Sequence, residues 1–178
     1  GRVVKGVITG NSKGGGSTIS QQLAKLLFPR KRLSKKELIV RKFKEWIISS
    51  RLELNYTKQE IIAMYLNKFD FLNNAVGINS AAQVYFNKKP IELNLEESAM
   101  LIGMAKNPSL FNPLRKPDTV FKRRAVVLKQ MLKNQFITSA VYDSVRELPL
   151  GLDYKKADHQ EGLAPYFREI LRTELGRL

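Results

Sequence analysis

The sequence predicts an all-α fold, and three observations carry that prediction. Apolar residues recur at three- and four-residue spacing along most of the chain, no segment sustains the two-residue alternation of a half-buried strand, and capping residues and prolines punctuate the pattern at helix-length intervals. Residues three and four apart share one face of a helix, whereas neighbours on a strand point to opposite faces, so the period separates the two structures.

The elements follow in order. Asn11 to Gly16 contains three consecutive glycines and reads as a loop. Ser17 or Thr18 then offers a hydroxyl cap to a helix through Ile19, Leu23, Leu26 and Leu27, which Pro29 stops. A long helix is expected over 36–55, with an inner stripe of Ile39, Phe43, Trp46, Ile47 and Leu54 and with Arg41, Lys42 and Glu45 largely off it. Thr57 and Glu60 have capping-box spacing and open a helix through Ile61, Ile62, Met64, Tyr65 and Leu66; Asn94 and Glu97 repeat the device. The helix after Asn94 runs to about Lys106 and ends before Asn107-Pro108, because the residue preceding proline disfavours helical geometry. Pro113 and Pro117 bracket a loop, Asp118 is expected to cap a basic helix through Phe121, Leu128 and Met131, and a shorter helix follows over 138–147. A polar stretch from Gly151 to Gly162 reads as a linker before a last helix, Ala164 to Leu178. Residues 1–150 are therefore assigned to one domain and 151–178 to a linker and helix leading towards a further domain, the abrupt opening at Gly1 suggesting an excised piece.

Composition bounds the chemistry. With 178 residues, 43% of them hydrophobic, the chain can bury a real core. Thirty-one Lys and Arg oppose 16 Asp and Glu, a net charge of +15 that favours phosphorylated substrates, anionic lipid or polyanions. The absence of cysteine excludes thiol catalysis and thiolate metal sites, and a single histidine, His159, argues against a multi-histidine metal centre. No run approaches the roughly 20 apolar residues that span a bilayer.

Two constellations could carry chemistry. In Gly14-Gly15-Gly16-Ser17-Thr18-Ile19-Ser20-Gln21-Gln22-Leu23-Ala24-Lys25, a glycine loop feeds a capped helix whose first turn bears hydroxyls and amides, and amide N–H groups there can receive anions. In Arg41-Lys42-Phe43-Lys44-Glu45 two cations lie one helical turn from a carboxylate. By itself that second pattern reads equally as a surface ion pair worth a few tenths of a kcal/mol. Leu26-Leu27-Phe28-Pro29-Arg30-Lys31-Arg32-Leu33 mixes apolar and cationic residues in a manner suited to a lipid interface or to a solvated helix end.

The first string closely resembles the second motif of glycosyltransferase family 51, the peptidoglycan polymerases of class A penicillin-binding proteins. The second, with Tyr56-Thr57-Lys58 and Tyr65-Leu66-Asn67 after it, resembles the third motif. Gly77 to Phe86 with Leu95 to Leu101 resembles the fourth, and Lys106 to Pro113 the fifth, so the likeness runs in unbroken order over about Gly14 to Pro113. It implies a lysozyme-like all-α domain with a larger and a smaller lobe, and a reaction in which a glycan on undecaprenyl diphosphate is transferred to the sugar 4-hydroxyl of lipid II, inverting to a β-1,4 linkage. The family's first motif, which supplies the general base, has no counterpart in the chain, so the resemblance implies that the chain alone does not polymerise.

By the same resemblance Glu45 is the second catalytic acid and a candidate ligand for a divalent metal, Mg or Mn. Lys25, Arg41 and Lys42 are diphosphate-binding, and Ser17, Thr18, Gln21 and Gln22 line the cleft. The implied partners are lipid II, the growing lipid-linked glycan, the membrane surface and moenomycin-type inhibitors, at the outer face of the bacterial cytoplasmic membrane, with a transpeptidase downstream. Two rival readings remain. A basic nucleic-acid-binding helical domain explains the charge but not the ordered Ser-Thr-Ile-Ser-Gln-Gln and Arg-Lys-Phe-Lys-Glu strings, so no nucleic acid is expected. A lysozyme-like lytic hydrolase shares the expected fold but has no need of the cations Lys25 and Arg41.

Overall fold

The computed structural model describes residues 17–27 and 35–155. Among these the structure is helical, with one isolated antiparallel bridge between Asp70 and Val76 and no strand, as the periodicity predicts. The glycine loop, Pro29 with its basic neighbours, and the helix expected over 164–178 lie outside the described residues. The chain divides into two compact units, Gly1–Phe69 and Asp70–Leu178.

In the smaller unit, α1 (Ile19–Leu26) packs against both α2 (Lys35–Asn55) and α3 (Lys58–Lys68). Leu23 and Ala24 of α1 and Ile61 and Tyr65 of α3 are buried. Of the two hydroxyls offered for the first cap, Thr18 is used, its Oγ1 accepting from Gln21 N at 3.2 Å. The Thr57–Glu60 box closes both ways: Thr57 N donates to Glu60 Oε2 at 2.8 Å and Glu60 N donates to Thr57 Oγ1 at 3.3 Å.

The long helix is where the sequence reading fails. Its expected inner stripe is outward: Phe43 is 56%, Ile47 58% and Leu54 84% exposed, Ile39 is exposed too, and only Trp46 is half-buried. Glu45 and Ser49 are buried instead, with Arg41, Lys42, Ile48 and Leu52 half-buried beside them. Positions 41, 45, 48, 49 and 52 recur at helical spacing as one face, and 39, 43, 47 and 54 form the opposite one. Burying Glu45 is tolerable because Arg41 and Lys42 on the same helix hold one oxygen each, which offsets the usual penalty on an isolated buried carboxylate.

The larger unit holds α4 (Ile78–Phe86), a 3-10 turn (Pro90–Glu92), α5 (Leu95–Met104), α6 (Pro117–Lys133) and α7 (Ser139–Val145). Its core is built from Phe71, Tyr85, Phe86, Met100, Leu101, Met104, Val120 and Leu128. Helices α5 and α6 approach closely at Gly103, where a Cβ would sit 3.2 Å from Arg123 Cγ. The Asn94–Glu97 box forms as expected, and the buried Glu97 also pairs with Lys88 at 2.7 Å. Asp118 does not cap α6. The cap position is Lys116 and Pro117 is the first helical residue, which suits a residue with fixed φ and no N–H; Asp118 lies within the first turn, where its charge favours the helix dipole. Thr138 caps α7 through Val141 N. The described part of the Gly151–Gly162 stretch is tied to α4, with Asp153 N donating to Tyr85 O at 3.0 Å and Lys155 N to Val84 O at 2.9 Å.

Candidate active site

All eight residues singled out for chemistry fall on α1, its two preceding residues, and α2, within the smaller unit. On α2 the structure gathers three of them. Glu45, only 2% exposed, has one oxygen 2.5 Å from Lys42 Nζ and the other 3.3 Å from Arg41 Nε. Spacings of three and four residues bring both cations over the same carboxylate, so a buried Glu45 is held by a largely buried Arg41 and a half-exposed Lys42, with a net charge of +1 over the three.

Arg41 is incompletely satisfied by that arrangement. Its Nε is close enough to Glu45 for an ion pair, yet neither Nε nor Nη2 has a hydrogen-bond acceptor, and both atoms are buried. The charge is countered and the N–H groups are not. A buried guanidinium left this way costs free energy that an anionic oxygen would recover, and a planar donor fork matches phosphate geometry.

On α1 the chemistry is hydrogen bonding. Thr18 is committed to the cap, and Gln22, half-buried, is held at both ends of its amide: Oε1 accepts from the Tyr65 hydroxyl at 3.2 Å and Nε2 donates to Ser17 O at 3.3 Å. Burial pushes the Tyr65 phenol above its ordinary pKa, keeping it protonated and a donor near neutral pH. Gln21 is half-buried in the first turn of α1, and Lys25 is exposed in the last. Among the described residues Lys25 joins neither hydrogen-bonded set. Tyr65 was not among the residues the sequence singled out for the site, entering only as part of a helical apolar pattern and of the Tyr65-Leu66-Asn67 string; a buried phenol ordinarily finds a partner, which is the signal that points to it.

No group of three His, Asp or Glu side chains able to hold a metal gathers among the described residues. Both oxygens of Glu45 face cationic nitrogens, a setting that suits a carboxylate orienting side chains rather than one ligating Mg or Mn. A cavity of about 400 Å³ in the same unit is lined by Ile19, Ser20, Glu53, Tyr56, Lys58, Ile61 and Ile62, none of which was singled out for chemistry. No described helix is long and apolar enough to cross a membrane.

Residues 2–132 match the family described as Transglycosylase. The chain is 40% identical over 169 residues to penicillin-binding protein 1A of Escherichia coli strain K12, covering 95% of this chain and 19% of that protein. It is 36% identical to penicillin-binding protein 1A of Aquifex aeolicus over 89% of this chain and 21% of that one. In structure it is similar to penicillin-binding protein 1A from Haemophilus influenzae, with a TM-score of 0.54 and 36% identity over 69% of this chain and 18% of the other. The chain thus spans about a fifth of the length of these relatives.

Proposed function

Because the chain belongs to the transglycosylase family, we propose that α1 and α2 form the diphosphate-binding part of a peptidoglycan glycosyltransferase site, which extends lipid-linked glycan with lipid II. The observation that carries this reading is the Arg41–Glu45–Lys42 cluster, with a buried carboxylate and buried guanidinium N–H groups that lack an acceptor. As the bond from the anomeric carbon to the diphosphate breaks, negative charge grows on the leaving oxygens, and preoriented cations stabilise it most where water is scarce. Arg41 and Lys42 receive that charge, and Glu45 holds the two cations in register. Lys25, exposed and free to reorient, closes on the diphosphate from α1, while Ser17, Thr18, Gln21 and Gln22 line the approach. No step is routed through a metal. Moenomycin-type inhibitors, as lipid-linked phosphate compounds, occupy the same pocket.

The enzyme works at the outer face of the bacterial cytoplasmic membrane, its substrates being lipid-anchored. The outward face of α2 supports this: Ile39, Phe43, Ile47 and Leu54 present an apolar stripe flanked by exposed Lys44 and Arg51, the composition of a helix lying in a lipid interface.

Lipid II polymerisation by the full-length protein tests the proposal. Arg41→Ala and Glu45→Gln are each expected to lower the rate on the order of a hundredfold while the protein stays folded. Near-normal glycan synthesis by either variant removes the cluster from the site.

A further inference from the structure

The Gln22 amide is held at both ends, and one of its two partners comes from a third helix. The Tyr65 hydroxyl on α3 donates to Gln22 Oε1 at 3.2 Å, and Gln22 Nε2 donates to the carbonyl of Ser17 at 3.3 Å. Tyr65 and Gln22 are 43 residues apart in sequence, so this link is made only by folding. An amide has two ends of nearly equal shape and opposite chemistry, a carbonyl acceptor and an NH₂ with two donors. A phenol that donates selects which end faces it. With Oε1 turned to Tyr65, the NH₂ lies on the side of Ser17, where it spends one N–H on the backbone and keeps the other. Flipped, the same side chain would present a carbonyl oxygen there, which repels a phosphate oxygen.

We propose that Tyr65 is a positioning residue: its hydroxyl sets the orientation of the Gln22 amide and, through it, the backbone at Ser17 where the glycine-rich string enters α1, so that this edge of the site offers N–H donors to an anionic substrate. The proposal rests on the glycosyltransferase reading above. It also accounts for a polar atom on an otherwise apolar face: Tyr65 is 6% exposed and packs its ring beside Phe69 at 5.4 Å between centroids, work that phenylalanine would do as well.

The test uses kcat/KM for lipid II polymerisation by the full-length protein, at a temperature where every variant is folded by circular dichroism. Tyr65→Phe removes one oxygen and is expected to lower kcat/KM about fivefold, the loss of one ordinary hydrogen bond. Gln22→Ala is expected to lose at least as much. The double variant is expected to be no worse than Gln22→Ala alone, because the hydroxyl acts only through the amide. A merely structural tyrosine would lower the melting temperature and leave kcat/KM of the folded enzyme unchanged, and that result overturns the proposal. So does a double variant whose losses multiply. If Gln22→Ala is impaired while Tyr65→Phe is not, the positioning role falls and the glycosyltransferase reading stands. If the wild-type protein makes no glycan, or if Arg41→Ala and Glu45→Gln are fully active, both fall together.

Discussion

Arg41 and Glu45 illustrate how little a spacing says until its surroundings are known. An i,i+4 arginine–glutamate pair on an exposed helix contributes a few tenths of a kcal/mol, and nothing local to the two residues distinguishes that case from this one. Here the carboxylate is 2% exposed and shared with Lys42, and removing it leaves the largely buried Arg41 guanidinium beside a second cation with no counter-charge between them. The same dependence on surroundings governs Tyr85. It is fully buried, donates to Phe71 O at 2.7 Å and accepts from Asn73 Nδ2 at 2.9 Å, bracing a turn in which Leu72, Asn73 and Asn74 all have positive φ. Such a run is strained for residues bearing a Cβ and persists because the packing around it holds it. Burial pushes the Tyr85 phenol up to about 12, above the ~10 of an exposed tyrosine, so the unfolded chain loses its proton first as pH rises. The stabilisation is therefore complete below pH ~10 and is lost as pH climbs towards about 12. Denaturant unfolding at pH 8, 10 and 11 should show a stability fall at the upper end that Tyr85→Phe reduces, with the variant about 1–2 kcal/mol less stable at pH 8 from its lost hydrogen bonds.

At the scale of the element, most of what local chemistry decides was legible, Asp118 being the exception, since α6 already starts at Pro117 and Asp118 lies inside its first turn. Thr18, Thr57, Asn94 and Thr138 all stand at the helix starts they signal, since a cap depends on residues at most three positions away. Which face of α2 is inward depends on α1, and hydropathy alone chose the opposite one; the apolar stripe has the right period and the wrong direction. The spacing of Arg41, Lys42 and Glu45 already allowed the contacts they make on α2, but the link from Tyr65 to Gln22 was not legible, because it crosses 43 residues. Arg124 was equally hidden, sitting among the basic residues of α6 as if solvated. It is 1% exposed, lies over the Phe121 ring at 4.7 Å, and donates to Pro149 O at 2.9 Å, to Arg146 O at 3.4 Å and to Leu148 O. Carbonyls at and after the end of α7 thus take the place of a carboxylate, which fastens that segment to α6. Arg124→Met should cost about 2–4 kcal/mol, because three part-buried carbonyls lose their shared donor at once. Arg124→Lys should rescue little, since a single ammonium cannot match a planar fork. Amide hydrogen exchange should locate the loss over 146–150, and unchanged protection there would show that the clamp is not what holds it.

For the whole molecule, the membrane contact proposed for this chain would draw on two forces that respond differently to solution conditions. A net charge of +15 draws it to anionic headgroups over about a Debye length, which is roughly 10 Å at 0.1 M salt and 3 Å at 1 M. The outward stripe of α2 acts only on contact, through apolar area that salt does not screen. Binding to vesicles containing anionic phosphatidylglycerol should accordingly weaken steeply between 0.05 and about 0.5 M salt and then level off. The plateau belongs to α2. Phe43→Ser with Ile47→Ser should abolish it and leave the salt-dependent part; both side chains are more than half exposed, so the cost in stability is about 1 kcal/mol, from the lost edge contact between Phe43 and Trp46 at 5.4 Å between ring centroids. A much larger loss of stability in that variant would mean the stripe packs inward after all, and a plateau that survives it would assign the apolar contact to another part of the chain. Neutral vesicles separate the two forces further: with the charge term removed, whatever binding remains should vanish with the same pair of substitutions.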